Sequence, residues 1–284
     1  MTLTRADVTD LLARHGLHPS RALGQNFVVD PNTVRRIARL AGVGPGDRVV
    51  EIGAGLGSLT LALLETGAAV TAVEVDRHLL VPLREVVEPA GATVVAGDAL
   101  RLDWHELLGD ESWALVANLP YNVATPLVAD LLDGVPAIKS MLVMVQREVG
   151  ERLAAGAGEE AYGAVSVKVA YWATAKVVGK VGPTVFLPQP KVDSALVAIV
   201  RREAPAVNPA SVGPKRLFSV VRAGFGQRRK MLRRSLAGIV APGAFEAAGV
   251  APEARPEELD VQAWGRLAAH PPPMGGPRST DGRS

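Results

Sequence analysis

The sequence predicts an α/β protein: a mostly parallel sheet with helices on both faces, followed by a small helical domain. Three observations predict it. From residue 48 to about 147, short apolar β-rich runs alternate with helical patterns, as right-handed βαβ crossovers require. Two further strand-like runs, KVVGKV and SALVAIV, flank the Pro-rich FLPQPKVD and suggest an antiparallel hairpin appended to the parallel sheet. Beyond the linker-like EAPAVNPASVGP at 203–214, only helical patterns remain, to about Ala269. The expected domains are 1–203, which includes an N-terminal helical extension, and 204–269. The tail at 270–284, HPPPMGGPRSTDGRS, is expected to be disordered.

The elements follow in order. Arg5 to His15 reads as a helix, followed by the connector HGLHPSRALG. Asp30-Pro31 opens a second helix with a capping carboxylate and a proline at its first position; Val34, Ile37, Ala38 and Ala41 share one face, and Gly42 ends it. Strands are expected at RVVEI, AVTAVEV, ATVVAG, WALVAN and KSMLVMV, with a helix around Ala164 to Trp172 after the Gly-rich joint AAGAGEEAYG.

Composition excludes several classes of function. The 284 residues contain no cysteine, which rules out disulfides, thiolate zinc sites and cysteine nucleophiles and fits a reducing cytoplasm. No run of roughly 18 uncharged apolar residues appears, and the N-terminus lacks a basic n-region followed by an apolar h-region, so no membrane association or export is expected. The five histidines (His15, His18, His78, His105, His270) are scattered, and no metal is expected. The net charge is only +2, so any nucleic-acid surface must be a local cluster. One such cluster exists: Lys215 to Arg234 contains eight basic residues and no acidic one.

After the first strand of the sheet comes Glu51-Ile52-Gly53-Ala54-Gly55-Leu56-Gly57, where glycines let the backbone turn and a ligand lie against bare peptide. The next strand ends in Glu74-Val75-Asp76, an acidic position suited to ribose hydroxyls. The third ends in Gly97-Asp98-Ala99, where a carboxylate can accept from an adenine amino group. Ser58 stands where the third glycine of the dinucleotide fingerprint would fall. With Glu51 just before the loop, the set fits an adenosine-containing cofactor without phosphate, S-adenosylmethionine. It disfavours an NAD(P) oxidoreductase.

The strand WALVAN then runs into Asn118-Leu119-Pro120-Tyr121. An exocyclic adenine amine is a poor nucleophile because its lone pair is conjugated into the ring. The Asn118 oxygen and the Leu119 carbonyl, held outward because Pro120 follows, could draw the nitrogen toward tetrahedral geometry. Tyr121 would stack on one flank of the base and Phe186 on the other, once the base has left its stack. Methyl transfer from a sulfonium needs positioning more than it needs a metal.

The ordered set Gly24-Gln25-Asn26-Phe27, EIGAGLGSLT, VEVD, GDAL, NLPYNVATPL, FLPQPKVDSALV and FGQRRKML resembles the KsgA/RsmA family of ribosomal RNA small-subunit adenine N6,N6-dimethyltransferases over about residues 10 to 268. The resemblance implies a Rossmann-like S-adenosylmethionine-dependent methyltransferase domain and a small C-terminal α-helical domain. It also implies dimethylation of N6 on two adjacent adenosines in the 3′-terminal hairpin loop of 16S rRNA. By matching motif, Asn26 and the Val28 backbone would touch the methionine end of the cofactor, with Gln25 nearby; Gly53 and Gly55 would lie under it. Glu74 would hold the ribose, Asp98 the adenine, and Asn118 would stand between cofactor and target amine. Pro188 and Pro190 would rigidify the Phe186 loop. Val28 stands where leucine is commoner in the family, a departure that matters little for a backbone contact.

Arg222, Arg228, Arg229, Lys230, Arg233 and Arg234 would form the RNA-facing surface, pairing with phosphates, while Met231, Leu232 and Leu236 would be core. Two rival readings share much of this pattern: an Erm-type large-subunit rRNA methyltransferase, and a small-subunit binding factor with secondary catalysis. A monomer is expected, since no long amphipathic seam is left over.

Overall fold

A computed structural model describes residues 2–20, 22–120 and 123–272. Tyr121, and the expected tail from Pro273 onward, lie outside the described residues. The helices are α1 Arg5–Arg14, α2 Pro31–Ala41, α3 Ser58–Leu64, α4 Leu80–Val87, α5 Trp104–Leu108, α6 Ala124–Gly134, α7 Arg147–Ala154, α8 Ala164–Trp172, α9 Pro214–Gly226, α10 Leu232–Ser235, α11 Gly243–Ala247 and α12 Val261–Ala268. The strands are β1 Phe27–Val28, β2 Arg48–Ile52, β3 Ala69–Glu74, β4 Thr93–Ala96, β5 Trp113–Asn118, β6 Ile138–Gln146, β7 Ala173–Val181, β8 Phe186–Leu187 and β9 Ser194–Arg201.

Two compact units result, Met1–Ala154 with Thr174–Arg201, and Ala155–Ala173 with Arg202–Ser284. The first holds a seven-stranded sheet in the order β4-β3-β2-β5-β6-β9-β7. Strands β2 to β6 pair in parallel, and β9 lies antiparallel to β6. This is a Rossmann-like α/β fold. Chain progression reverses between β2 and β5, and that switch point opens a crevice outside the carboxyl ends of the strands.

Capping fixes the ends of α2 as the sequence suggests. The Asp30 carboxylate accepts from the Thr33 amide at 3.0 Å, Pro31 follows, and Gly42 closes the helix in a left-handed conformation. Its buried face, Val34, Ile37 and Ala38, packs with Leu59, Leu63, Val49 and Val116 against the sheet. Two elements escape local patterning. The short helix α5 carries little periodicity, and β1 and β8 form a separate two-stranded ribbon pairing Val28 with Phe186.

The second unit departs from the expected boundary at 203/204. Helix α8 belongs to it, because Tyr171 is fully buried edge-on to Phe218 of α9, with ring centroids 5.2 Å apart. An apolar helix preceding a strand-like run reads as part of the sheet domain in sequence, yet its partners lie more than 40 residues onward. Met231 is a second correction. Leu232 and Leu236 are core as expected, but Met231 is 39% exposed, because it precedes α10 as its cap residue and points off the packed stripe.

Trp264 fills the centre of this core, and a Cβ at Gly224 would come within 2.5 Å of its ring. Gly224→Ala is therefore expected to destabilise the second unit by about 1–3 kcal/mol, measured as a lowered urea midpoint followed by tryptophan fluorescence.

Candidate active site

The crevice at the switch point is a continuous groove of two cavities, about 100 and 210 Å³. They share Leu23, Gly53, Val75, Leu119 and Pro120. The first lies over the glycine loop between β2 and α3. The second is an apolar cleft between Ile52, Val73, Val75, Ala99 and Leu100, with Asp98 at its edge.

The loop is held by β3. The Glu74 carboxylate is buried and accepts three backbone amides, Gly55 at 2.7 Å, Asp76 at 2.9 Å and Val75 at 3.0 Å. Burial raises its pKa and these three donors oppose the rise. Gly55 has φ +61°, and a Cβ there would press on the Phe27 ring at 3.0 Å; Gly57 has φ +89°, and a Cβ would fall 2.3 Å from Val87. The glycines thus let β1 and α4 close on the loop. Glu51, which the sequence marks only as an acid before the loop, proves to be fully buried at the groove floor. Its Oε2 accepts the Thr60 hydroxyl at 2.5 Å. Burial, reinforced by Glu74 and opposed by Thr60, pushes its pKa up to about 8.

The segment before β1 roofs the groove. The Gln25 side chain donates to Asp76 at 2.7 Å and accepts from the Ser20 amide at 2.7 Å, so it ties the roof to the end of β3. Asn26 donates through its side chain to the Gly24 carbonyl at 3.1 Å, and its own carbonyl accepts from Asn118 Nδ2 at 3.0 Å. That bond fixes the Asn118 amide with Nδ2 toward the roof. Neither Asn118 Oδ1 nor the Leu119 carbonyl takes a hydrogen bond among the described residues, whereas the Leu119 amide donates to the Met144 carbonyl. Two acceptors on consecutive residues thus lie at the carboxyl end of β5.

The structure thus brings Gln25, Asn26, Val28, Gly53, Gly55, Glu74, Asn118, Leu119 and Pro120 to one cavity and Asp98 to the adjoining one. Asp98 also caps its own turn, accepting from the Leu100 amide at 3.0 Å, with Arg101 3.7 Å from its other oxygen. Phe186 is the exception. Its ring is 1% exposed and packs in the α2 core with Val34 and Ile37, because β8 pairs with β1 and turns this residue inward. It does not offer a face to a base. Among the described residues no lysine, arginine or histidine lines either cavity.

Comparison with known proteins adds the lineage. The ribosomal RNA adenine dimethylase family profile matches residues 18–269. The chain belongs to that family. A relative from Thermobifida fusca, "Ribosomal RNA small subunit methyltransferase A", is 50% identical over 281 residues, covering 95% of this chain and 96% of its own. One of the same name from Streptomyces coelicolor is 50% identical over 276 residues, covering 93% and 95%. Among solved structures, the 23S rRNA methyltransferase ErmE superposes with a TM-score of 0.68 at 28% identity, over 86% of this chain and 98% of that one. A dimethyladenosine transferase from Plasmodium falciparum, at 23% identity and TM-score 0.71 over 84% and 94%, shares the fold.

In the second unit, Arg222, Arg228, Arg229, Lys230, Arg233 and Arg234 are all exposed. Two are compensated: Arg233 pairs with Glu253 at 3.0 Å, and Arg228 approaches Glu257 at 3.6 Å while donating to the Glu160 carbonyl. The other four have no ion-pair partner among the described residues.

Proposed function

We propose that this chain uses S-adenosylmethionine to dimethylate N6 of two adjacent adenosines in the 3′-terminal hairpin loop of small-subunit rRNA. The observation that carries the reading is the groove itself. It is acidic and free of cations among the described residues, which suits a positively charged adenosine cofactor and not a phosphorylated one, and it ends at two free acceptors. The cofactor fits this donor set: Asp98 beside the apolar cleft for adenine, Glu74 near the ribose, and the Gly53 and Gly55 backbone, Gln25, Asn26 and Val28 around the methionine end. When bound, it supplies a methyl group already activated by a positive sulfur.

The protein's own contribution is position. In the first transfer Asn118 Oδ1 and the Leu119 carbonyl accept the two hydrogens of the target amine, and in the second the one that is left, drawing the lone pair out of conjugation and toward the methyl; each transfer releases one proton from the nitrogen to solvent. Pro120 keeps the Leu119 carbonyl facing the groove. With Phe186 buried, stacking on the extruded base falls to Tyr121. Small-subunit choice is supported by relatives of that name at about half identity over nearly the whole chain; ErmE shares 28%. A cytoplasmic monomer fits this reading, and sedimentation at micromolar concentration tests the oligomeric part of it. No helix among the described residues is long and apolar enough to cross a membrane.

The test is incubation with labelled S-adenosylmethionine and undermethylated ribosomal subunits of each kind. Label in N6,N6-dimethyladenosine of the small subunit is expected; label confined to the large subunit would refute the assignment. Substituting Arg222, Arg229, Lys230 and Arg234 together by Ala removes four charges that have no ion-pair partner among the described residues. It is expected to flatten the log–log salt dependence of subunit binding by about 3, at roughly 0.7–0.9 per phosphate contact.

A further inference from the structure

A third cavity, of about 300 Å³, lies outside the groove at the carboxyl end of β6, lined by Gln146, Arg147, Glu148, Lys191, Val192 and Asp193. We propose that it seats the nucleotide adjoining the target adenosine. The inference rests on the RNA substrate proposed above and adds a site for the neighbour.

Its walls are built by the sheet. Gln146 pairs with Ser194 across β6 and β9, and the Arg147 amide donates to the Asp193 carbonyl at 3.0 Å, tying the two rims together. The charges are available. Arg147 is about half exposed, and its nearest acid, Glu151, stands 3.7 Å away, too far for a tight pair. Lys191 is exposed and has no ion-pair partner among the described residues. Val192 is 44% exposed, an apolar face amid polar ones. Two cations for a phosphate, the Gln146 amide for a base edge and an apolar surface for a sugar or base together describe a nucleotide. Glu148 and Asp193 bring the lining to neutrality. That disfavours a free multivalent anion and leaves acceptors for a 2′-hydroxyl or an exocyclic amine.

Position decides which nucleotide. In the β5–β6 register Asn118 lies opposite Met144, and Gln146 is two residues further along the strand. One inter-strand step of about 4.8 Å and two residues of about 3.3 Å each put the Cα atoms of Asn118 and Gln146 roughly 8 Å apart. A strand whose adenine enters at Asn118 can therefore lay its neighbour here without a change of direction. For a substrate with two adjacent target adenosines, the cavity would hold one while the other is modified.

The test compares the parent chain with Arg147→Ala/Lys191→Ala and with the charge-conserving Arg147→Lys/Lys191→Arg. The substrates are undermethylated small subunits and labelled S-adenosylmethionine. The alanine pair is expected to raise KM for the subunit tenfold or more and to flatten the salt dependence of binding by about 0.7, the value for one single-strand phosphate contact. Calorimetric affinity for S-adenosylmethionine and the melting temperature stay at parent values, and the charge-conserving pair keeps the parent salt slope. Parent-like KM and slope in the alanine pair would overturn the proposal. So would a fall in cofactor affinity or melting temperature that tracks the loss of subunit binding, since the residues would then act through the fold. Failure of the parent itself to methylate small subunits would sink the proposed function and this inference with it, a distinct result.

Discussion

Asn118→Ala is expected to lower kcat for methyl transfer to undermethylated small subunits by about 10²–10³-fold, the size seen when one preorganised hydrogen-bonding group is removed from a reacting centre. The S-adenosylmethionine affinity should change little, because Asn118 reaches the groove from β5 and the loop is anchored independently by Glu74. Asn118→Asp sharpens the test. An aspartate keeps an acceptor but cannot donate to the Asn26 carbonyl, which now receives Asn118 Nδ2 at 3.0 Å. Its carboxylate would face that carbonyl with like partial charge and rotate away, so activity should fall nearly as far as in the alanine variant. If Asp restores full turnover, orientation through Asn26 plays no part. If Ala itself retains full turnover, the amide does not polarise the target amine. Single-turnover rates, which isolate the chemical step from product release, are the appropriate measurement.

The reasons this site is legible in sequence are geometric. Parallel strands place the residues that follow them at one end of the sheet, so the polar positions after RVVEI, AVTAVE, TVVA and WALVAN had to converge. Gly53, Glu74, Asp98 and Asn118 do so. What was illegible depends on contacts between distant segments. Phe186 reads as an exposed aromatic because only its local context, a proline-rich loop, is visible. Its burial comes from pairing with Val28, more than 150 residues earlier, in a ribbon of two-residue strands that leaves no periodic trace. Met231 falls at helical spacing with Leu232 and Leu236, yet α10 starts one residue later, and a one-residue difference at a helix start turns a side chain from core to solvent. The displaced boundary at α8 has the same origin: its apolar face is satisfied by Phe218, which no nearby residue announces.

Glu51 is the other residue whose role emerges only in three dimensions, and it leads to the second large effect expected here. Its carboxyl is buried on β2 beside Glu74, and its pKa stands at about 8 instead of the usual 4.5. Burial is the chief cause. The sign follows from proton counting. Between pH 4.5 and 8 the folded protein retains a proton on Glu51 that the unfolded chain has lost, so stability falls as pH rises, by at most about 1.4 kcal/mol per unit. The contribution is fully present below about pH 4.5 and is lost as pH rises through about 8, a total on the order of 5 kcal/mol. Glu51→Gln removes the titration while retaining an oxygen to accept the Thr60 hydroxyl. Relative to the parent, the variant should therefore gain stability steadily from pH 5 to pH 8. Urea midpoints of both proteins at pH 5, 6.5 and 8 measure this difference, and the subtraction cancels every other titrating group. Parallel curves would mean that Glu51 ionises normally. The same substitution should weaken S-adenosylmethionine binding at pH 8, where about half of the parent's Glu51 is ionised beneath a cationic ligand, and less so at pH 5, where position 51 is neutral in both proteins. A variant that is more stable yet binds cofactor worse would identify Glu51 as a group kept for the ligand at the fold's expense.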